Sequence, residues 1–235
     1  MSREKMLRLA HRYLVRQTMP GWAAAYYDRL IGNVAEIYLC PFVDEILREF
    51  SGPLKILDAG TGAGHLPALL AKRRTDFAIT GVDLSSACLE LAKEKVRAGK
   101  LDGVQFVRGD LEKMRFPDAS FDLVVSTCSL HHWRRPAAVL RELVRVLKLG
   151  GELWLLDDAG EASPAARKEW VAEVERRARS GWLFRSVFWF ESRFLAYSQR
   201  EVRELTGRAG LSSSSFDLCG VFFLARFKRQ THSGA

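Results

Sequence analysis

Apolar residues along this chain fall into two spacings: short continuous runs, and stripes that recur every third or fourth residue. The first short run, residues 54–57, reads as a buried strand that ends at Asp58. Residues 78–82, ending in Asp83, repeat that form, as do 104–107, 121–126 and 152–156. Between them lie helical stripes. Residues 66–74 form one; Cys88, Leu91, Ala92 and Val96 form another behind a cap at Ser85 or Ser86; Val139, Leu140, Leu143, Val144 and Leu147 form a third that stops at Gly150-Gly151. Strands alternating with helices predict a parallel, doubly wound sheet. The run 121–126 is apolar throughout after Asp122, as expected of a strand covered on both faces.

The flanks follow other rules. Residues 3–17 set Met6, Ala10, Tyr13 and Gln17 on one stripe among five basic side chains, so a basic amphipathic helix is predicted over the domain surface. Pro20-Gly21 breaks it; residues 22–30 then present Trp22, Tyr26, Tyr27 and Asp28, and a second helix runs over 34–50. Beyond the fifth strand, Ser163-Pro164 opens a helix with a cap and a proline at its first position. Residues 181–197 are dense in aromatics, with Arg185, Phe188 and Arg193 among them. Ser198 and Glu201 make a capping box. Runs 212–218 and 221–227, joined at Cys219-Gly220, are too close for a crossover and predict an antiparallel hairpin closing one sheet edge. The expected organisation is a helical lid over 1–50, an α/β core over 51–158, an insertion over 159–197, and a last helix with the hairpin over 198–235.

Composition narrows the class. A chain of 235 residues, 48% hydrophobic and 27% charged, is that of a soluble globular protein. No apolar run approaches the roughly 20 residues of a membrane span, and no secretory leader is apparent, so a cytoplasmic protein is expected. The four cysteines form no C-x-x-C pair, which removes the usual support for zinc or iron–sulfur chemistry; no metal is expected. Net charge is +8, and thirteen basic against eight acidic side chains stand in 161–235. That imbalance keeps a nucleic-acid or anionic partner among the alternatives, beside a solvated arginine-rich face.

The chemistry concentrates at residues 54–64, where the first strand runs into Gly60, Gly62 and Gly64 and then a helix. Strand, glycine loop and helix build a nucleotide site: glycines admit positive φ and close approach of a ligand, and helix amides face it. The spacing G-x-G-x-G, with an acid two residues before the first glycine, departs from the dinucleotide pattern G-x-G-x-x-G. D-A-G-T-G-A-G at 58–64 is followed by G-V-D-L-S at 81–85, G-D-L at 109–111, F-D-L-V-V-S at 121–126, S-L-H-H-W at 129–133 and V-L-K-L-G-G at 146–151. In this order, with the closing hairpin, they resemble class I S-adenosylmethionine-dependent methyltransferases of the small-molecule type, similar to those of ubiquinone and menaquinone biosynthesis. Leu149 replaces the family's usual proline. The resemblance implies a Rossmann-like sheet of seven strands, mostly parallel with the antiparallel hairpin, plus a helical lid. It implies S-adenosylmethionine as cofactor, held by Asp58 at its ammonium group, by Gly60, Thr61, Gly62 and Gly64 along its methionine half, and by Asp83 at the ribose. Asp110 would receive the adenine amino group, Leu84 and Leu111 would pack on the ring, and Ser126 would line the methionine side.

A methyl donor of this kind is already activated, so in-line placement of a small, apolar or aromatic acceptor is the main expected task. A base is needed only for a protonated acceptor, and His131 and His132 are the candidates. Trp22, Tyr26, Tyr27 and Phe188 are expected to cover the acceptor, with Arg185 or Arg193 meeting an anionic group. A nucleic-acid or protein methyltransferase and a non-catalytic cofactor-binding subunit are the alternatives.

Overall fold

In a computed structural model of the chain, the structure describes residues 21–32, 34–178 and 194–230. The basic stripe at 3–17 lies outside them, as do Arg185, Phe188 and Arg193. The chain opens with helices α1 (Gly21–Gly32) and α2 (Ala35–Glu49). The core follows as β1 (Lys55–Ala59), α3 (His65–Arg73), β2 (Ala78–Asp83), α4 (Ser86–Gly99), β3 (Val104–Arg108), β4 (Phe121–Thr127), α5 (Pro136–Val146) and β5 (Leu147–Asp158). Helices α6 (Pro164–Ala178) and α7 (Gln199–Gly207) precede β6 (Ser212–Cys219) and β7 (Phe222–Lys228).

The seven strands lie in the order β3-β2-β1-β4-β5-β7-β6. The first five pair in parallel, and β7 enters antiparallel between β5 and the edge strand β6. Side chains of the central strands alternate between two cores. Leu57 and Val124 face one, with Leu140, Leu143 and Phe223; Ile56, Leu123 and Trp154 face the other, with Phe42, Ile46 and Leu70. Burial on both faces accounts for the continuous apolar strands, and it leaves their polar ends at one rim. There Asp58 is the last residue but one of β1, Asp83 ends β2, and the pair Asp157 and Asp158 ends β5.

The expected caps form. Ser85 Oγ accepts from Cys88 N at 3.3 Å, and Ser198 with Glu201 closes a capping box ahead of α7. One boundary differs from the sequence pattern. Helix α5 ends at Val146, four residues before the glycines, and Leu147 already pairs with Phe121 as the start of β5. The segment then jogs: the register shifts between Phe121 and Leu123, and Gly150 turns with φ +76°. Leu147 is fully buried whether it ends a helix or begins a strand, so apolar spacing alone could not separate the two. Leu149, in place of proline, stands exposed in this jog.

Candidate functional site

The glycine loop is tied to the end of β2 rather than suspended over it. Gly60 N and Thr61 N both donate to the carbonyl of Val82, at 2.9 and 3.0 Å, and Gly62 N donates to Asp83 Oδ2 at 2.9 Å. Gly60, Gly62 and Gly64 take φ of +78°, +52° and +70°, the left-handed region where a β-carbon is strained. Gly60 and Gly64 have a second reason. A β-carbon on Gly60 would stand 2.0 Å from Ser129 Oγ, and one on Gly64 would meet Ala92 and Phe106. At Gly62 a β-carbon would meet nothing within 4 Å, so that edge of the loop is open. The sequence pattern suggested that a ligand excludes these β-carbons; at two of the three positions neighbouring protein atoms do so as well.

Asp58 lies beneath this loop and is 1% exposed. Its Oδ2 accepts the Thr61 hydroxyl at 2.6 Å, while Oδ1 is buried and, among the described residues, has no hydrogen-bond partner. Burial raises the carboxyl to about 7; the Thr61 hydrogen bond opposes the shift and the nearby charge of Asp83 adds to it. An orphaned carboxylate oxygen under exposed backbone fits a ligand that carries a cation. Gly81, which opens the second motif, protects the arrangement: a β-carbon there would approach Thr61 Oγ1 to 2.7 Å.

Asp83 accepts Ser85 N on Oδ1 at 2.8 Å as well as Gly62 N on Oδ2. Burial pushes its carboxyl up, against the pull of those amides. Each oxygen keeps a second lone pair, so the fixed carboxylate can still receive a vicinal diol. Asp110 is exposed and caps its own turn by accepting Glu112 N at 2.9 Å. Leu84 is half-buried and Leu111 buried. Ser126 Oγ donates to the carbonyl of Ala59 at 2.8 Å, which binds the ends of β4 and β1 together.

Beyond β4 the chain turns sharply. Cys128 takes φ +48°, uncommon for a residue with a β-carbon, and a short 3₁₀ turn, Leu130–His132, follows. Ser129 receives Trp133 Nε1 at 2.9 Å while its side chain fills the space over Gly60. His131 is buried, and its Nδ1 stands 2.6 Å from Asp157 Oδ1; Asp157 also accepts Leu130 N and Asp158 N, both at 2.8 Å. That distance suits an Nδ1–H that donates to the carboxylate, the arrangement that turns Nε2 into the ring's basic nitrogen. His132 is exposed, with its ring centroid 4.0 Å from that of His131. His131, Asp157 and Asp158 each bring a ligand-type atom within 4.8 Å of the others, the spacing a metal ion would need. The 2.6 Å contact between two of them is that of a charge-assisted hydrogen bond.

The structure thus gathers Asp58, Gly60, Thr61, Gly62, Gly64, Asp83, Ser126 and His131 at one rim of the sheet. On α1, Trp22 and Tyr26 are 78% and 52% exposed, and the Tyr27 side chain lies outside the described residues. The partner of His131, Asp157, was not singled out from the sequence. Its signal was there in the same form as Asp58 and Asp83: an acid ending a buried strand.

Comparison with known proteins agrees with this geometry. Residues 57–155 match the family model described as a methyltransferase domain. The chain is 36% identical over 115 residues to demethylmenaquinone methyltransferase of Thermotoga maritima, covering 49% of this chain and 48% of that protein. It is 37% identical over 123 residues to 27-O-demethylrifamycin SV methyltransferase of Amycolatopsis mediterranei, covering 52% and 44%. The match spans less than half the length of these curated relatives. Among solved structures, a candidate S-adenosyl-L-methionine-dependent methyltransferase from Methanococcus maripaludis superposes with a TM-score of 0.73 at 26% identity, over 91% of this chain and 94% of that one. Sheet order, glycine loop and family match agree: residues 57–155 match a methyltransferase domain, and the sheet around them has the fold of the solved S-adenosyl-L-methionine-dependent methyltransferases.

Proposed function

We propose that this chain moves a methyl group from S-adenosylmethionine to a small, apolar or aromatic acceptor by direct in-line transfer, as a cytoplasmic enzyme. One observation carries the reading: Asp58 Oδ1, buried and unpartnered beneath three left-handed glycines. That oxygen suits an ammonium group, and the open backbone at Gly62 suits a chain lying across it. Gly60, Thr61, Gly62 and Gly64 would hold the methionine half, with Ser126 beside it. Asp83 would hold the ribose, Asp110 the adenine amino group, and Leu84 and Leu111 the faces of the ring. The bound cofactor supplies an activated methyl group on a sulfonium, with a neutral thioether as leaving group.

For a hydroxyl acceptor, His131 is the base. Asp157 keeps its proton on Nδ1, orients the ring, and stabilises the imidazolium that forms when Nε2 takes the acceptor's proton. His132, its ring tilted against that of His131, would line the same space. Trp22, Tyr26 and Tyr27 would close over the acceptor from α1, and Phe188 with Arg185 and Arg193 from the aromatic insertion, the arginines meeting an anionic group. The relatives' names point to quinols and hydroxyls as the first acceptors to try. Cytoplasmic placement is supported by the cysteines, which form no disulfide, and by the absence of a membrane-length apolar helix among the described residues.

The test has two stages. Calorimetric titration with S-adenosylmethionine and S-adenosylhomocysteine comes first; failure of both to bind folded protein refutes the reading. A labelled-methyl transfer screen over quinol, phenol, amine, carboxylate and thiol acceptors then identifies the reaction, with quinols or phenols expected to respond.

A further inference from the structure

Three charged or titratable side chains from three helices meet beside the glycine loop. Lys95, on α4, sends Nζ to Asp28 Oδ1 of α1 at 2.9 Å and to the carbonyl of Ala63 at 2.8 Å. It also approaches the ring nitrogens of His65, the first residue of α3, at 3.2 and 3.1 Å. His65 Nε2 in turn stands 2.7 Å from Asp28 Oδ1. An ammonium has three N–H donors; Asp28 and Ala63 each accept one, and the His65 ring lies against the ammonium as well. All three side chains are mostly buried, at 27%, 22% and 18% exposure.

Ala63 lies between Gly62 and Gly64, so one Lys95 bond reaches into the loop itself. The other reaches α1, a short helix whose main packing among the described elements is against α4. Burial raises the Asp28 carboxyl, but its bonds to His65 and Lys95 and their charges outweigh this and hold it down at about 2. Burial pushes the Lys95 ammonium down, against the pull of Asp28. Each charge therefore depends on the other to remain buried. If α1 withdraws, Lys95 loses its counter-ion. If Lys95 moves into water, Ala63 loses its donor.

We propose that Lys95 is a positioning residue that couples cofactor binding to the docking of α1, by holding the Ala63 carbonyl of the glycine loop and Asp28 of α1 on one ammonium group. The inference rests on the glycine loop being the cofactor site. By linkage the coupling runs both ways: whatever orders the loop also secures α1, and loosening α1 weakens binding at the loop.

The test combines calorimetry of S-adenosylhomocysteine binding with hydrogen–deuterium exchange of residues 21–32. The proteins are wild type, Lys95→Met, Asp28→Asn, the double variant, and Lys93→Met as a control. Among the described residues Lys93 pairs with Glu90 on the same helix. In wild type the ligand should slow exchange in α1 severalfold. Lys95→Met and Asp28→Asn should each weaken binding about tenfold and abolish that ligand-dependent protection. The double variant should bind no more weakly than the poorer single one, because both remove the same link. Lys93→Met should match wild type. The proposal is overturned if Lys95→Met binds as tightly as wild type, if the two losses multiply, or if α1 exchanges equally with and without ligand. Should Lys95→Met fail to fold, the exchange of wild type and the affinity of Asp28→Asn decide. Wild type that binds no ligand would instead overturn the cofactor reading itself.

Discussion

Replacing Asp58 by asparagine gives the sharpest test of the site's electrostatics, because it separates what the fold tolerates from what the ligand needs. The carboxyl is held at about 7 against an ordinary 3.8, chiefly by burial. Between those values the folded protein binds a proton that the unfolded chain has released. The stability this group contributes is therefore complete below the lower value and is lost as pH rises through the upper one. Integrated between pH 5 and pH 8, the loss is roughly 3 kcal/mol. Asparagine carries no such charge, so the stability of Asp58→Asn relative to wild type should climb by about that amount over the interval. The amide nitrogen placed where Oδ1 lacks a partner costs about 1–3 kcal/mol, but equally at every pH. Urea denaturation of both proteins at pH 5, 6, 7 and 8 measures the difference. A constant offset across the series refutes the reasoning. Calorimetry supplies a second reading: pairing Asp58 with a cation at pH 7 should expel part of a proton from wild type and none from Asp58→Asn, visible as a buffer-dependent enthalpy.

Other substitutions probe the neighbouring geometry. Gly62→Ala meets only its positive φ and should cost about 1–2 kcal/mol. Gly60→Ala adds a collision with Ser129 and should cost more than about 4 kcal/mol in the same denaturation assay; equal losses would argue against the contact. With a hydroxyl acceptor, His131→Gln should lower kcat by about 10²–10⁴-fold while cofactor affinity stays unchanged. Asp157→Asn should fall in the same direction by a smaller factor, and unaltered turnover in both would remove His131 as the base. Arg145 receives no part in the chemistry. It joins Glu142 and Asp118 to the carbonyls of Met114 and Phe116, and Arg145→Ala should lower stability by about 1–3 kcal/mol without moving KM.

What could be read from the chain depended on how local the cause was. A buried strand that ends in an acid at a loop declares itself within ten residues, which is why β1 with Asp58 and β2 with Asp83 were legible. The parallel sheet followed from strand–helix alternation, and the hairpin followed from a connection too short to cross over. The start of β5 was hidden because Leu147 is equally apolar on either side of a helix–strand junction. The deeper losses are contacts between distant residues. Nothing near Gly60 announces Ser129, and nothing near His131 announces Asp157. Nothing near Lys95 in the sequence announces Asp28 or Ala63. Only the fold brings it to Asp28 and Ala63, and its role comes from being paired where it is half-hidden from water.

The insertion of β7 between β5 and β6 has a consequence in time. Glu152 pairs with Lys228, and the register runs to Asp158 opposite Phe222. A chain lengthening at about 5–20 residues per second therefore finishes β5 roughly 4–15 s before the strand that must lie against it arrives. Over that interval the apolar run around Trp154 has β4 on one side and an open row of amides and carbonyls on the other. Such an edge recruits other strands, including those of neighbouring nascent chains. Glu152 at one end of this exposed run and Asp157 and Asp158 at the other place charge where a foreign strand would have to pair. The carboxylates at the rim thus guard the half-built sheet before the finished site has any ligand to hold.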